Sequence, residues 1–363
     1  MKSIWRHSVK HDSGKRGQHQ YRGYLAILFI CLLGIRHALA QDVHFTQFFT
    51  NPLALSPAST GYFDGDYRIG FNYKYQWPWA TQQTFNYHTQ AAYADFSVLE
   101  RKTKMGWLGL GLNFLNDQAG DGRLRYMRFG GSVAWHQPFD KAHRFILSLG
   151  YGFHYVQKSI DFEPFYFNNQ WVADVGFDRS LPDFERPSSA TFSQFDMGAG
   201  LNFHAKVSDR LLLGTTFSML HLNRPKDAFY TGNNQLGFRY VASAKAEIQW
   251  SRGVSILTNA YFTYQKKAYE VVFGAMGAFR VHEESRRESA HTLYAGAYYR
   301  VKDALSPIVG YQFKGTRLLV NYDIIFSRLS TPGRFNGGLE FSLVHIGRFP
   351  MRHTDKKVAC PKF

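Results

Sequence analysis

The alternation of side chains across residues 67–77 is the feature that most constrains the fold. In the string YRIGFNYKYQW, the odd-numbered positions are all large and apolar or aromatic, whereas the even-numbered positions include Arg68, Asn72 and Lys74. Because successive side chains of a strand point to opposite faces, this stretch is a strand with one apolar and one polar face. Six consecutive large apolar positions ending in aromatic residues are typical of a strand that faces lipid.

The same two-faced pattern recurs along the chain between segments that are rich in turn residues. Alternation and turn signals together predict fourteen strands. They span residues 67–77, 83–97, 105–115, 123–136, 143–157, 191–205, 210–222, 236–250, 254–266, 269–281, 291–301, 306–314, 316–327 and 336–347. We therefore expect an all-β fold: a transmembrane antiparallel β-barrel of about 14 strands over residues 66–348, with an apolar exterior and a polar bore.

The connections between these strands are unequal in length. Those after odd-numbered strands include the longest, at residues 159–190, and two further sizeable loops, whereas those after even-numbered strands are mostly short. Short turns on one side and long loops on the other are typical of outer-membrane barrels. Helical membrane spans are disfavoured, since each needs about 20 mainly apolar residues and the sequence contains no such run.

Glycines at alternate positions form two similar strings, GLGLNF at residues 109–114 and GAGLNF at residues 198–203. A nucleotide-binding loop is disfavoured because both strings lie inside predicted strands with no helix after them. We instead expect these glycines to clear space in a crowded lumen or at a bend.

The first 65 residues do not belong to the strand series. A basic leader precedes the apolar run at residues 24–35, and a small-x-small cleavage signal ends at Ala40. Residues 1–40 are therefore predicted to be a secretory signal peptide cleaved near Ala40 and Gln41. Residues 41–65 are irregular but rich in Phe and Leu, and we expect them to plug the lumen or pack under its rim.

Charge and cysteine content limit the partners. The formal net charge is +16, and the chain stays basic without residues 1–40, which favours anionic outer-membrane lipid or an acidic protein over nucleic acid. Cys31 leaves with the signal peptide, so Cys360, in the tail at residues 349–363, remains alone. It is unpaired, lipid-modified or joined to another chain, and neither an internal disulfide nor a cysteine metal site is expected.

No local motif for catalysis, cofactor binding or metal binding occurs in the sequence. The chain has no G-x-S-x-G elbow and no H-E-x-x-H helix motif, and its strand histidines stand singly. We therefore predict a protein that is not an enzyme and holds no cofactor. A triad built from separate strands would leave no local signature, so an outer-membrane hydrolase stays an alternative.

The longest loop combines acidic and aromatic residues within a basic protein. Its candidate partner-binding residues are Phe165, Tyr166, Trp171, Asp174 and Asp178. Aromatic anchors ringed by charge are typical of protein interfaces. The residues leave two interpretations open: a surface for a partner, or a loop folded inward as a lid on its own barrel.

Several strings resemble the PorP/SprF family. They are QDVHFTQFFTNPLALSPA at residues 41–58, GLGLNFLNDQAG at 109–120, HLNRP at 221–225, the last hairpin at 322–343 and the ending CPKF at 360–363. The resemblance implies an outer-membrane barrel of the type IX secretion and gliding machinery of Bacteroidota. Its implied partners are other components of that machinery and an exported protein with a C-terminal sorting domain, which it helps secrete or anchor at the cell surface.

The family strings add further candidate partner-binding residues, namely Gln47, Phe48, Asn51, Pro52 and Pro57 in the opening segment and His221 and Pro225 in the turn. A passive transporter of small hydrophobic molecules remains a second alternative, because a small barrel with an N-terminal plug also fits that role.

Overall fold

The structure is a computed structural model that describes residues 43–76, 87–98, 106–120, 122–182, 190–229, 234–282, 291–326 and 337–349. The predicted signal peptide and its cleavage site lie outside these residues, as do the tail beyond Phe349 and Cys360.

Fourteen strands form one sheet in the described part of the chain, which confirms the predicted all-β barrel. They are β1 Tyr67–Gln76, β2 Tyr87–Val98, β3 Trp107–Ala119, β4 Leu124–Pro138, β5 Phe145–Ser159, β6 Thr191–Ser208, β7 Leu211–Leu220, β8 Arg239–Gln249, β9 Val254–Gln265, β10 Ala268–His282, β11 His291–Arg300, β12 Ala304–Phe313, β13 Thr316–Tyr322 and β14 Gly338–Gly347. Strand β13 resumes as Ile324–Ile325 after an interruption at Asp323.

The sheet closes on itself. Each strand pairs antiparallel with its neighbours in the sequence, and β1 pairs with β14 from Tyr67 opposite Gly347 to Gln76 opposite Gly338. Closure leaves this sheet without an open edge strand among the described residues. Among the described residues, no helix is long and apolar enough to cross a membrane.

The barrel has two distinguishable ends. We name the end that carries the connections after odd-numbered strands the loop end, and the other the turn end. The loop end carries residues 160–182, which contain a short hairpin of Trp171–Val172 with Gly176–Phe177. The turn end carries short connections such as those between β6 and β7 and between β12 and β13.

The outer face is apolar around the barrel. On β1, Ile69 is 52% exposed, whereas Asn72 and Lys74 on the opposite face are each 1% exposed. Strand β4, whose faces are ambiguous in sequence, turns Phe129 outward and Arg128 inward. Because the side with large apolar groups is the accessible one, the alternation predicted for a lipid-facing wall is confirmed.

The lumen differs from the polar bore expected from sequence. Inward-facing apolar residues from β7 to β13, including Val241, Tyr261, Tyr298 and Leu319, form one buried cluster. Phe48 joins this cluster and stacks on the Tyr261 ring, with the ring centroids 5.2 Å apart. That half of the lumen is therefore a packed apolar core, and the expected polar bore is wrong for this half.

Residues 43–65, here called the N-terminal segment, occupy the lumen. They form a short 3-10 turn at Phe48–Thr50, a helix, α1, at Pro52–Leu55, and a second 3-10 turn at Pro57–Ser59. Asn51 caps α1 by accepting from the Ala54 amide at 3.3 Å, and a proline begins each of the last two elements. These are favoured helix-start residues, so the local sequence specifies the turns.

The N-terminal segment runs between the two ends of the barrel. Phe45 packs on Leu115 and Tyr126, near the loop ends of β3 and β4. At the other end, the Trp107 indole donates to the Gly61 carbonyl at 3.1 Å, and the Asp66 amide donates to the Gly347 carbonyl at 2.9 Å. The segment therefore descends from the loop end to the turn end, where β1 begins.

Inward-facing glycines make room for this descent. A Cβ atom at Gly109 would collide with the carbonyl oxygen of Thr60, and one at Gly200 with the hydroxyl of Ser56. The predicted role of the alternate glycines, clearing space in a crowded lumen, is confirmed at these positions.

Candidate functional site

Backbone amides of the N-terminal segment are bound by a strand carboxylate in the loop-end half of the lumen. Glu340 on β14 accepts from the amides of Thr46 at 2.9 Å and Gln47 at 3.0 Å. The Gln47 side chain donates to Asn321 at 2.6 Å and accepts from the Ser342 hydroxyl. Buried backbone donors need partners, and here the barrel wall supplies them.

A buried charge cluster surrounds this contact. The Lys74 ammonium lies 3.0 Å from Glu340, and the Arg300 guanidinium lies 3.0 Å from Asp323. The Thr46 hydroxyl donates to Asp323 at 2.9 Å and accepts from Arg300 at 3.0 Å, so the segment joins the cluster. Two cations face two carboxylates inside the lumen, which satisfies the requirement that buried charges be paired.

A second buried ion pair holds the segment at the turn end. Arg68 donates to the two oxygens of Asp95 at 3.0 and 2.7 Å, and Asp95 also accepts from the Gly61 amide at 2.7 Å. Nearby, one ring nitrogen of His136 lies 2.8 Å from the Thr60 carbonyl oxygen. The segment is therefore fastened to the wall at both ends of its path.

The long loop at the loop end presents apolar side chains on its surface. Tyr166, Trp171, Val175 and Phe177 are each about half exposed or more, and Trp171 is 58% exposed. We call these four residues the aromatic patch. The Phe177 ring lies 5.0 Å from that of Tyr166 and 4.9 Å from that of Trp171, so three of its members form one cluster. Large exposed aromatic groups in contact with one another mark interaction surfaces.

Local contacts fix the backbone that carries the patch. The Asp161 amide donates to the Gly122 carbonyl at 2.7 Å, and half-buried Phe165 covers Gly122. Asp178 accepts from the amide and the hydroxyl of Ser180, and these bonds hold the pKa of Asp178 below its usual value. The Arg179 guanidinium lies 4.5 Å from the Tyr166 ring centroid. A cation over an aromatic ring stabilises the exposed ring in place.

The family model of the type IX secretion system membrane protein PorP/SprF matches residues 38–344. The chain belongs to this family. None of the curated proteins compared with it matches.

Several solved barrels are similar to this PorP/SprF protein in outline. A FadL homologue of Pseudomonas aeruginosa has 11% identity and a TM-score of 0.46, over 80% of this chain and 92% of that one. The monoaromatic hydrocarbon channel CymD has 10% identity and a TM-score of 0.47, over 83% and 93%. A deletion mutant of the monoaromatic hydrocarbon channel TodX has 9% identity and a TM-score of 0.49, over 80% and 92%.

The structure places the predicted partner-binding residues of this PorP/SprF barrel in three separate groups. Gln47, Phe48, Asn51, Pro52 and Pro57 lie in the lumen, where all but half-buried Pro52 are buried. His221 and Pro225 are buried in the connection after β7, at the loop end, where His221 contacts Asp196 at 2.9 Å. The loop residues alone reach the surface, with Tyr166, Trp171 and Asp174 exposed and Phe165 and Asp178 half buried.

Sequence reasoning missed the charge cluster of this PorP/SprF barrel. Its members all lie on strands or at a strand interruption, namely Lys74, Arg300, Asp323 and Glu340. The sequence signal that could have indicated the cluster is a charged residue on the inward face of a predicted strand. Their pairing depends on the register of β1 against β14 and of β13 against its neighbours, which no local pattern encodes.

Among the residues that the structure describes, no group of three or more potential ligands could hold a metal ion.

Proposed function

We propose that this protein is an outer-membrane component of the type IX secretion and gliding machinery that helps secrete a partner protein or anchor it at the cell surface. The partner is an exported protein with a C-terminal sorting domain, and other components of the machinery bind the same barrel. The chain acts without catalysis, and it reaches the outer membrane after signal-peptide cleavage near Ala40 and Gln41. Family membership supports the machinery, and the aromatic patch supports the partner.

The aromatic patch carries this proposal. In outer-membrane barrels the longer loops face outward, so the loop end is assigned to the cell exterior. An exposed cluster such as Tyr166, Trp171 and Phe177 has the composition of an interface hot spot, in which few aromatic residues provide most of the binding energy. A lid on the lumen would bury these rings, whereas their exposure favours the surface for a partner.

The filled lumen supports anchoring over passive transport of small hydrophobic molecules. The N-terminal segment is fastened by Glu340 in the loop-end half and by Asp95 at the turn end. Phe48 also packs into the apolar cluster of β7 to β13. A passive pore for hydrophobic molecules needs a continuous path, and the segment lies across it.

The test is native co-purification followed by mass spectrometry of the bound proteins. In the double variant Trp171→Ala and Phe177→Ala, we expect recovery of the exported partner to fall by about tenfold or more, as for loss of a hot spot. Trp250→Ala is the matched control, because Trp250 is also an exposed tryptophan but lies at the turn end. Equal recovery from both variants, together with an unchanged surface proteome on gene deletion, would overturn the proposal.

A further inference from the structure

A small pocket lies in the loop-end half of the lumen, between the N-terminal segment and the barrel wall. Its apolar lining includes Phe45 and Phe48 from the segment and Leu115 from β3, and its cationic lining is Arg128 and Arg239. The free space is about 40 Å³. Among the described residues that line it there is no Asp or Glu, so the pocket is apolar and cationic.

Arg128 is the anomaly in this pocket. It is only 7% exposed, and its Nε atom is fully buried without a hydrogen-bond partner. No described residue hydrogen-bonds to it or forms an ion pair with it, and its neighbours across the sheet are Leu115 and Val156. Buried guanidinium groups are ordinarily paired, because an isolated buried charge costs several kcal/mol.

The other buried arginines of the lumen show what Arg128 lacks. Arg68 is paired with Asp95, and Arg300 with Asp323. Two other buried carboxylates of the lumen each lie close to a histidine: Glu270 is 3.4 Å from His44, and Asp196 is 2.9 Å from His221. The Arg128 guanidinium therefore carries a buried positive charge that no described residue pairs with.

We infer that the pocket binds the carboxylate of an amphipathic organic anion, with Arg128 facing the carboxylate and the aromatic and leucine lining contacting its apolar part. The free space of about 40 Å³ accommodates the carboxylate, because one water-sized probe occupies roughly 10–15 Å³ and a carboxylate has three heavy atoms. The apolar part requires the aromatic and leucine side chains around it to move apart. The planar guanidinium suits a two-oxygen anion because it donates two parallel hydrogen bonds. This inference goes beyond the proposed function and does not depend on the aromatic patch.

The experiment measures thermal stabilisation of the purified full barrel in a neutral maltoside detergent by hexanoate, 1-hexanol and acetate. Hexanoate shares its charge with acetate and its chain with hexanol. We expect hexanoate to raise the melting temperature of the wild-type protein saturably, with a half-saturating concentration at least about tenfold below that of either other probe. Equal potency of hexanol would overturn the need for the charge, and equal potency of acetate would overturn the need for the chain.

Variants then locate the site. Arg128→Met replaces the charged guanidinium by an apolar side chain of similar length. It should abolish the selective response to hexanoate. Lys245→Met is the matched control, because Lys245 is another inward-facing lumen cation without an ion pair to the described residues and lies in a different cavity. An unchanged response in Arg128→Met, or an equal loss in both variants, would overturn the assignment.

Discussion

The carboxylate of Asp95 is fully buried and accepts hydrogen bonds from Arg68 and from the Gly61 amide. We predict that Asp95→Asn lowers the free energy of unfolding by about 3–5 kcal/mol, because it leaves the Arg68 charge buried without its counter-ion. Urea unfolding of the detergent-solubilised barrel, followed by tryptophan fluorescence, measures the change.

Asp140 provides the control for that measurement. It also pairs with an arginine, Arg144, at 2.8 Å, but at an exposed turn. Exposed ion pairs contribute little in water, so Asp140→Asn should leave the unfolding midpoint unchanged. Equal destabilisation by both substitutions would contradict the argument from burial.

Single glycines make a second prediction at the residue scale. Gly109→Ala places a Cβ atom against the backbone of Thr60, which cannot rotate away, whereas the nearest atom to a Cβ at Gly131 is 3.5 Å distant. We expect Gly109→Ala to lower the stability by about 1–3 kcal/mol, as for overpacking. Gly131→Ala, on the neighbouring strand β4, should be neutral. Melting temperatures of the two variants check this, and similar values would refute the close approach.

At this scale the sequence predicts which face a residue occupies but not which residue it contacts. The inward position of Lys74 follows from strict alternation along β1. Its contact with Glu340 depends on the seam between β1 and β14. The space-clearing role of Gly109 was predictable, yet its partner, Thr60, was not.

At the scale of elements, the N-terminal segment is the one whose behaviour can be tested directly. Glu340→Ala removes the acceptor for two amides of the segment and leaves Lys74 without its nearest carboxylate. We therefore expect the loop-end half of the segment to loosen, because its buried donors lose their partner. Single-channel conductance in planar bilayers should rise above that of the wild-type barrel.

Glu247→Ala is the control for the conductance measurement. Glu247 also faces the lumen, on β8, but it makes no hydrogen bond or ion pair to the segment. Its removal should leave the conductance at the wild-type value. If Glu340→Ala conducts no better than Glu247→Ala, Glu340 does not hold the segment in place.

Strands and the segment differed in how far sequence could predict them. Most strands have an alternating pattern and end at turn residues, so their described ends lie within a few residues of the prediction; β3, for instance, runs to Ala119 rather than to residue 115. The predicted ends at residues 77, 83, 105, 327 and 336 lie outside the described residues. The N-terminal segment has no period, and its path follows from contacts with many strands. Likewise, the apolar cluster around Phe48 arises because one half of the lumen packs against the segment instead of facing water.

At the scale of the whole molecule, closure between β1 and β14 makes the barrel. We predict that a chain truncated before Gly338 fails to form a compact barrel, because β1 and β13 would both become open edges in lipid. A chain truncated after Phe349 retains every described strand and should fold. Heat-modifiable migration in SDS gels, together with protease resistance, distinguishes the two, and a heat-modifiable form of the shorter chain would contradict the prediction.

The fold and the family could be predicted from the sequence because alternation, loop lengths and the opening string extend over nearly the whole chain. For the aromatic patch, the sequence predicted only that the long loop is rich in aromatic residues, and not that their rings are exposed. Its exposure depends on local anchors, such as the Asp161 amide on Gly122, that fix the loop.

The path of the N-terminal segment also sets an order of assembly. The segment is joined to the start of β1, and it lies inside the barrel. The barrel closes only when β1 pairs with the last strand, β14. The Phe48 ring is buried in the apolar cluster of the lumen. If the segment entered a barrel that had already closed, this ring would have to pass between side chains that are already packed. We therefore expect the barrel wall to assemble around a segment that is already in position, so that the N-terminal segment serves as the template on which the barrel closes.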